Sequence, residues 1–225
     1  EKLAMSAKYT ENYPYKEEVI ALYEGLTNEE KQTDLAMNTY TYLFPPQVVE
    51  VGDEMADADL YDLEGNVHRL ADFKGKYIML DFWSRGCGPC LMALPEMKEV
   101  AEMYKDRLTI VSLSIDTKKG WETASKTHEM TWQNLNELKG SNGLFAKYGV
   151  RGIPNYVLIS PEGRIVEKWF GYSAHSLKRK LRRLLNVDEY VMSLGEENGH
   201  KVVNFPTVKK SNNDIPEIRQ VVLTD

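Results

Sequence analysis

Residues 76–84, KYIMLDFWS, constrain the fold more than any other stretch of the chain. The run is apolar at nearly every position, so a strand made from it has to be covered on both faces. That requirement points to an α/β arrangement with helices above and below a sheet. Two more runs, LTIVSLSID (108–116) and NYVLIS (155–160), have the same character. Pro161-Glu162-Gly163 then turns the chain into RIVEKWF (164–170), a fourth core strand.

The intervening segments read as helices. Residues 88–105 place Leu91, Leu94, Met97, Val100 and Ala101 at helical spacing, and 118–129 and the short turn in NGLFAKYGV follow. The segment ADLYDLEGNVHRLADF (58–73) reads as a hairpin around Glu64-Gly65-Asn66. An amphipathic helix, AHSLKRKLRRLL (174–185), closes the core with Leu177, Leu181, Leu184 and Leu185. Its basic side (Lys178, Arg179, Lys180, Arg182 and Arg183) has the look of a calmodulin- or membrane-binding face. A solvated outer face near the helix C-terminus is the plainer account.

Ahead of this core, residues 1–46 form a helical appendage. Val19, Ile20 and Tyr23 share one helical face, and a second helix starts from the capping-box pattern Thr27–Glu30 and runs to Leu43. Pro45-Pro46 ends it. Tyr13, Tyr15, Tyr23, Tyr40 and Tyr42 could line a cofactor or sugar site, but packing against the core is the simpler role. The core occupies 47–187, and a polar, mixed extension fills 188–225.

Composition excludes several functions. A net charge of −6 argues against general nucleic-acid binding. No apolar run is long enough for a transmembrane helix. The opening EKLAMSAKYTENYPYK carries no signal-peptide pattern, so any signal or membrane anchor would lie in a segment outside this chain.

Both cysteines, Cys87 and Cys90, lie in DFWSRGCGPC (81–90). Structural zinc needs four N or S ligands. His68, His128, His175 and His200 show no paired spacing with one another or with the cysteines, so no metal is expected. As an inert disulfide the pair would close too short a loop to constrain the unfolded chain much. A redox couple fits the position better. A strand running out at Trp83-Ser84 puts Cys87 at a helix N-terminus, where unpaired N–H groups favour a thiolate. Cys90 follows one turn along, and Pro89 suits the first turn.

DFWSRGCGPC, with Pro95 five residues on, resembles the thioredoxins, and so does KYGVRGIPNYVLIS further along. The resemblance spans residues 55–186. It implies a thioredoxin-like three-layer fold with a central mixed sheet, and a thiol–disulfide oxidoreductase that needs no cofactor beyond its own cysteines. In that family's terms Cys87 is the attacking thiol, Cys90 the resolving thiol, and Asp81 the buried carboxylate beneath them. Pro154 matches the cis-proline and Ile153 the residue whose backbone pairs with substrate. Trp83 matches the aromatic under the site, Pro95 the helix-kinking proline, and Gly171 a glycine that admits substrate.

Gly86, Ser112 and Asn155 depart from the commonest thioredoxin pattern, which has Trp, Lys and Thr there. Gly86 opens the substrate groove. The hairpin and the insert around Trp121–Leu138 resemble the TlpA-type branch, although that branch's common Glu is Ala93 here. The branch implies a bacterial periplasmic or envelope reductant, often in cytochrome c biogenesis, with protein disulfide substrates and an upstream thiol reductant. A peroxiredoxin-like peroxidase, with Ser84 in place of the required Thr, and a non-catalytic docking module are the alternatives.

Overall fold

The computed structural model describes residues 15–185 and the strands at 193–197, 200–206 and 218–222. The chain divides into two compact units, Glu1–Ala174 and His175–Asp225.

Among the described residues, the first unit opens with three helices: α1 (Lys16–Glu24), α2 (Asn28–Lys31) and α3 (Asp34–Leu43). The Thr27 capping box forms as expected, with Thr27 Oγ1 accepting from the Glu30 N–H and Glu30 Oε2 accepting from the Thr27 N–H. The single helix expected from Thr27 to Leu43 is nonetheless two. Thr33 is a second N-cap, accepting from the Ala36 N–H, and its extended backbone breaks the run. Thr41 Oγ1 donates to Asn142 Oδ1 at 2.5 Å, and Asn142 Nδ2 donates to Asn38 Oδ1 at 3.1 Å, which ties α3 to the loop before the later core strands.

The hairpin β1 (Leu60–Tyr61) and β2 (Val67–His68) pairs Leu60 with His68. Asp62 organises its turn by accepting from the Glu64 and Asn66 N–H groups. Its carboxyl is held down at about 2, first by the hydrogen bond to His68.

The main sheet has the order β5-β4-β3-β6-β7. Its strands are β3 (Tyr77–Trp83), β4 (Leu108–Ser114), β5 (Gln133–Leu135), β6 (Asn155–Ile159) and β7 (Ile165–Phe170). Strands β3, β4 and β5 run parallel, while β6 and β7 add in antiparallel sense. The sequence reading found four of these strands; β5 lies within the insert it assigned between β4 and the Pro154 loop. Helices α4 (Gly88–Met103) and α5 (Lys118–His128) make the crossovers between the parallel strands. The short helix α6 (Leu144–Lys147) follows β5.

Side-chain alternation along β3 divides the core in two. Ile78, Leu80 and Phe82 join Val111, Leu113, Val157, Phe145 and Tyr148 in a large apolar cluster. Trp83 faces the other way and packs with Cys87, Cys90, Trp121 and Ala124. That second face therefore carries the cysteines.

In the second unit, α7 (Ser176–Leu185) buries Leu177, Leu181 and Leu185, with Leu184 half-buried. Beyond it in sequence, the backbone of β8 (Ser193–Glu197), β9 (His200–Pro206) and β10 (Ile218–Val222) forms a three-stranded antiparallel sheet of order β10-β9-β8. No strand was read there from the sequence.

Candidate active site

Strand β3 ends at Trp83, and the next four residues turn the chain into α4. The Cys87 N–H donates to the Ser84 carbonyl at 3.1 Å, and Gly86 N–H donates to Ser84 Oγ at 3.3 Å. Cys87 is the N-cap of α4, where its sulfur accepts the Cys90 N–H at 3.2 Å. Pro89 lies in the first turn, where a missing N–H is harmless. A disulfide joins Cys87 to Cys90. Cys87 is 9% exposed and Cys90 3%, so the N-cap cysteine is the less buried of the two. Pro95 lies within α4, five residues beyond Cys90.

Asp81 sits two residues before Trp83 and so shares its face of the sheet. It is 2% exposed. Burial pushes its carboxyl up to about 7, against a lowering contribution from the Ser112 hydroxyl. Ser112 is Asp81's register partner on β4, and its Oγ donates to Asp81 Oδ2 at 2.8 Å. The indole N–H of Trp132 in turn donates to Ser112 Oγ at 2.8 Å. On the other side Asp81 pairs with Tyr156 of β6. The buried Tyr156 hydroxyl is shifted upward by its own burial, then by the nearby Asp81, Tyr172 and Glu96. Its ring stacks on Trp169, with centroids 5.3 Å apart.

The Pro154 loop reaches the same region. The Ile153–Pro154 peptide bond is cis. Ile153 packs against the cluster holding both cysteines, so the two motifs meet. Gly171, with φ +82°, donates its N–H to the Pro154 carbonyl at 2.9 Å, and a Cβ there would touch nothing within 4 Å. Beside it, the exposed Phe170 ring lies over Gly152. Gly86 is exposed at the rim of the turn.

The structure thus gathers Asp81, Trp83, Gly86, Cys87, Cys90, Ile153, Pro154 and Gly171 around one end of the sheet. Sequence reasoning did not find Trp132, Tyr156 or Glu96 as neighbours of this region. For Ser112 the resemblance implies a place near the buried acid, where many thioredoxins carry a lysine, and an influence on the site's proton affinity; its hydrogen bonds to Asp81 and Trp132 come from the structure. The tyrosines of the appendage lie elsewhere. Tyr23 and Tyr40 help line a cavity of about 520 Å³ beside Lys31, Phe44, Lys139 and Lys147. Tyr15 and Tyr42 are exposed, and Tyr13 lies outside the described residues.

Against known proteins, the model described as the AhpC/TSA family matches residues 51–168. The chain belongs to the AhpC/TSA family. Within it, thiol-disulfide oxidoreductase ResA of Bacillus thuringiensis subsp. konkukian is 30% identical over 129 residues, 56% of this chain and 73% of that protein. The thioredoxin domain of a thiol-disulfide oxidoreductase from Bacteroides vulgatus superposes with a TM-score of 0.56 at 29% identity, covering 61% of this chain and 99% of that one. A thiol:disulfide interchange protein from Bacteroides sp. gives a TM-score of 0.55 at 28% identity, covering 68% and 95%. This member of the AhpC/TSA family is a thioredoxin-like thiol–disulfide oxidoreductase with a mixed five-stranded sheet.

Proposed function

We propose that the chain is a protein-disulfide reductant of the bacterial envelope, working through Cys87 and Cys90. The observation that carries this reading is the N-cap position of Cys87, whose sulfur already receives the Cys90 N–H. In the reduced state that donor and the helix dipole favour the Cys87 thiolate.

The Cys87 thiolate attacks one sulfur of a substrate disulfide. That S–S bond breaks, a Cys87–substrate disulfide forms, and the other substrate sulfur leaves as a thiolate. Cys90 then loses its proton to Asp81, whose carboxyl titrates near neutrality. The Cys90 thiolate attacks Cys87, the Cys87–Cys90 disulfide forms, and the substrate departs as a dithiol carrying two electrons. An upstream thiol reductant restores the pair. The chain needs no metal or bound cofactor for this cycle. Ile153, Pro154, Gly171 and Gly86 frame the groove in which an extended substrate lies, and the buried Trp83 supports the cysteines from beneath.

The envelope location and a place in cytochrome c biogenesis rest on the likeness to the TlpA-type branch. No helix among the described residues is long and apolar enough to cross a membrane. The Ser84 Oγ accepts the Gly86 N–H within the turn, which favours dithiol exchange over a peroxidase role for that hydroxyl.

Titration of Cys87–Cys90 against glutathione tests the direction of flow. Thioredoxin-like pairs span roughly −270 to −120 mV, and a reductant belongs near the lower end. Reduced protein should reduce insulin disulfides. Failure to do so, or rapid consumption of peroxide instead, overturns the reading.

A further inference from the structure

We propose that Trp132, acting through Ser112, is a positioning residue that holds down the proton affinity of Asp81. The proposal rests on the reading of Asp81 as the proton acceptor for Cys90.

A serine hydroxyl has one proton and two lone pairs. Here Trp132 Nε1 donates into Ser112 Oγ at 2.8 Å, and the Ser112 proton goes to Asp81 Oδ2, also at 2.8 Å. Ser112 is fully buried, so its bond to Asp81 is shielded from water, while Trp132 is half-buried. The indole N–H is a donor only, which fixes the sense of the chain: Trp132 gives, Ser112 receives and gives, Asp81 receives. A hydroxyl that accepts one hydrogen bond donates a second more strongly. Without the indole N–H, the Ser112 donation weakens, and the hydroxyl is free to turn and accept from a protonated carboxyl. Both changes favour the protonated acid.

The other titratable groups on this side of the sheet act differently. Tyr156 stands opposite Asp81 on β6, and Glu96 on α4 and Tyr172 after β7 reach Tyr156. Cys90, at the start of α4, is the proposed proton donor. As anions, Glu96 and Tyr156 would raise the proton affinity of Asp81. Ser112, backed by Trp132, is the group hydrogen-bonded to the carboxylate that opposes burial. It keeps Asp81 able to ionise near neutral pH, so that the acid can both take a proton and return it.

The test is a carbon-13 NMR titration of the Asp81 carboxyl in the oxidised full chain, which requires no electron transfer. Trp132→Phe keeps an aromatic side chain and removes the pyrrole ring with its N–H, so the donor to Ser112 is gone. It should raise the Asp81 midpoint by about 0.5–1 pH unit. Ser112→Ala should raise it at least as far, and the double variant no further than Ser112→Ala alone. The pH midpoint of insulin reduction should move in parallel. An unmoved NMR midpoint in Trp132→Phe overturns the proposal, whatever the activity does. A moved midpoint in a protein that reduces no disulfide supports the Trp132–Ser112–Asp81 chain while removing the proposed function. If Ser112→Ala does not fold, Trp132→Phe decides alone.

Discussion

The backbone N–H of Cys90 points at the sulfur of Cys87, 3.2 Å away, so the first cysteine is served by the helix that the second one belongs to. The relationship is unequal, since Cys90 lies deeper and has no helix N-terminus of its own.

The first prediction follows from that inequality. Limiting iodoacetamide at neutral pH should label Cys87 several-fold faster than Cys90 in the reduced protein, because the thiolate is the reacting species. Mass mapping of the adduct reads the ratio, and preferential labelling of Cys90 would reverse the assigned roles. Cys90→Ser should trap mixed disulfides with substrate proteins, whereas Cys87→Ser should trap none.

Asp81 makes stability depend on pH in a direction opposite to most carboxylates. Its folded value of about 7 lies above the ordinary 3.8. The native state therefore holds a proton that the unfolded chain has released, and stability falls as pH rises from about 4 through 7. Asp81→Asn removes this dependence. It should raise stability at pH 8 by an order-of-magnitude 2–4 kcal/mol, relative to its effect at pH 4, as read from urea melts. The same variant should slow disulfide reduction near neutral pH. Identical melting profiles for the two proteins across that range would remove the buried-acid account.

Gly171 should tolerate no side chain without loss. Gly171→Val forces a β-branched residue to φ +82°, at a cost of about 1–2 kcal/mol. It also displaces the N–H that holds the Pro154 carbonyl. Because the Pro154 loop faces substrate backbone in the proposed groove, kcat/KM should fall more for insulin than for oxidised glutathione. Equal losses for both would place Gly171 outside the groove.

A polar network under α5 should matter first for stability. Asn134 Oδ1 accepts from Trp121 Nε1 at 3.1 Å, and its Nδ2 donates to Ser125 Oγ at 2.6 Å. Asn134→Ala leaves a buried indole N–H without its partner and should cost about 1–3 kcal/mol in urea unfolding. Because Trp121 packs with Cys87 and Cys90, the reduction potential measured in the same variant reads how far the loosened indole reaches the disulfide.

The legible parts of this chain are those in which one local pattern carries the information. β3 and β4 show as unbroken apolar runs, and α4 as a helical stripe behind a Cys-Gly-Pro-Cys turn. The split between α2 and α3 does not show because the Thr27 capping box reads as the start of the helix whose spacing Leu35, Tyr42 and Leu43 carry, although all three lie in α3 and Thr33-Asp34 is itself an N-cap signal. β5 was missed because Gln133-Asn134-Leu135 is short and two-thirds polar. Its burial comes from Trp121 and Ser125 satisfying Asn134, which no periodicity encodes. The Trp132–Ser112–Asp81 chain draws on residues 20 and 31 positions apart. Strand register brings Asp81 and Ser112 together, which the family resemblance implies, but nothing in the sequence points to Trp132 just ahead of β5.

The short β5 has a consequence for how the protein behaves in a crowded compartment. A sheet edge with free N–H and carbonyl groups invites another chain to add a strand. Here β5 contributes three residues, and the next, Asn136, exchanges both backbone hydrogen bonds with Tyr61 at 2.9 and 3.0 Å. Little ladder is left on that side for a neighbour to extend. A strand from another chain is thereby poorly placed to polymerise with this protein along this border of its sheet.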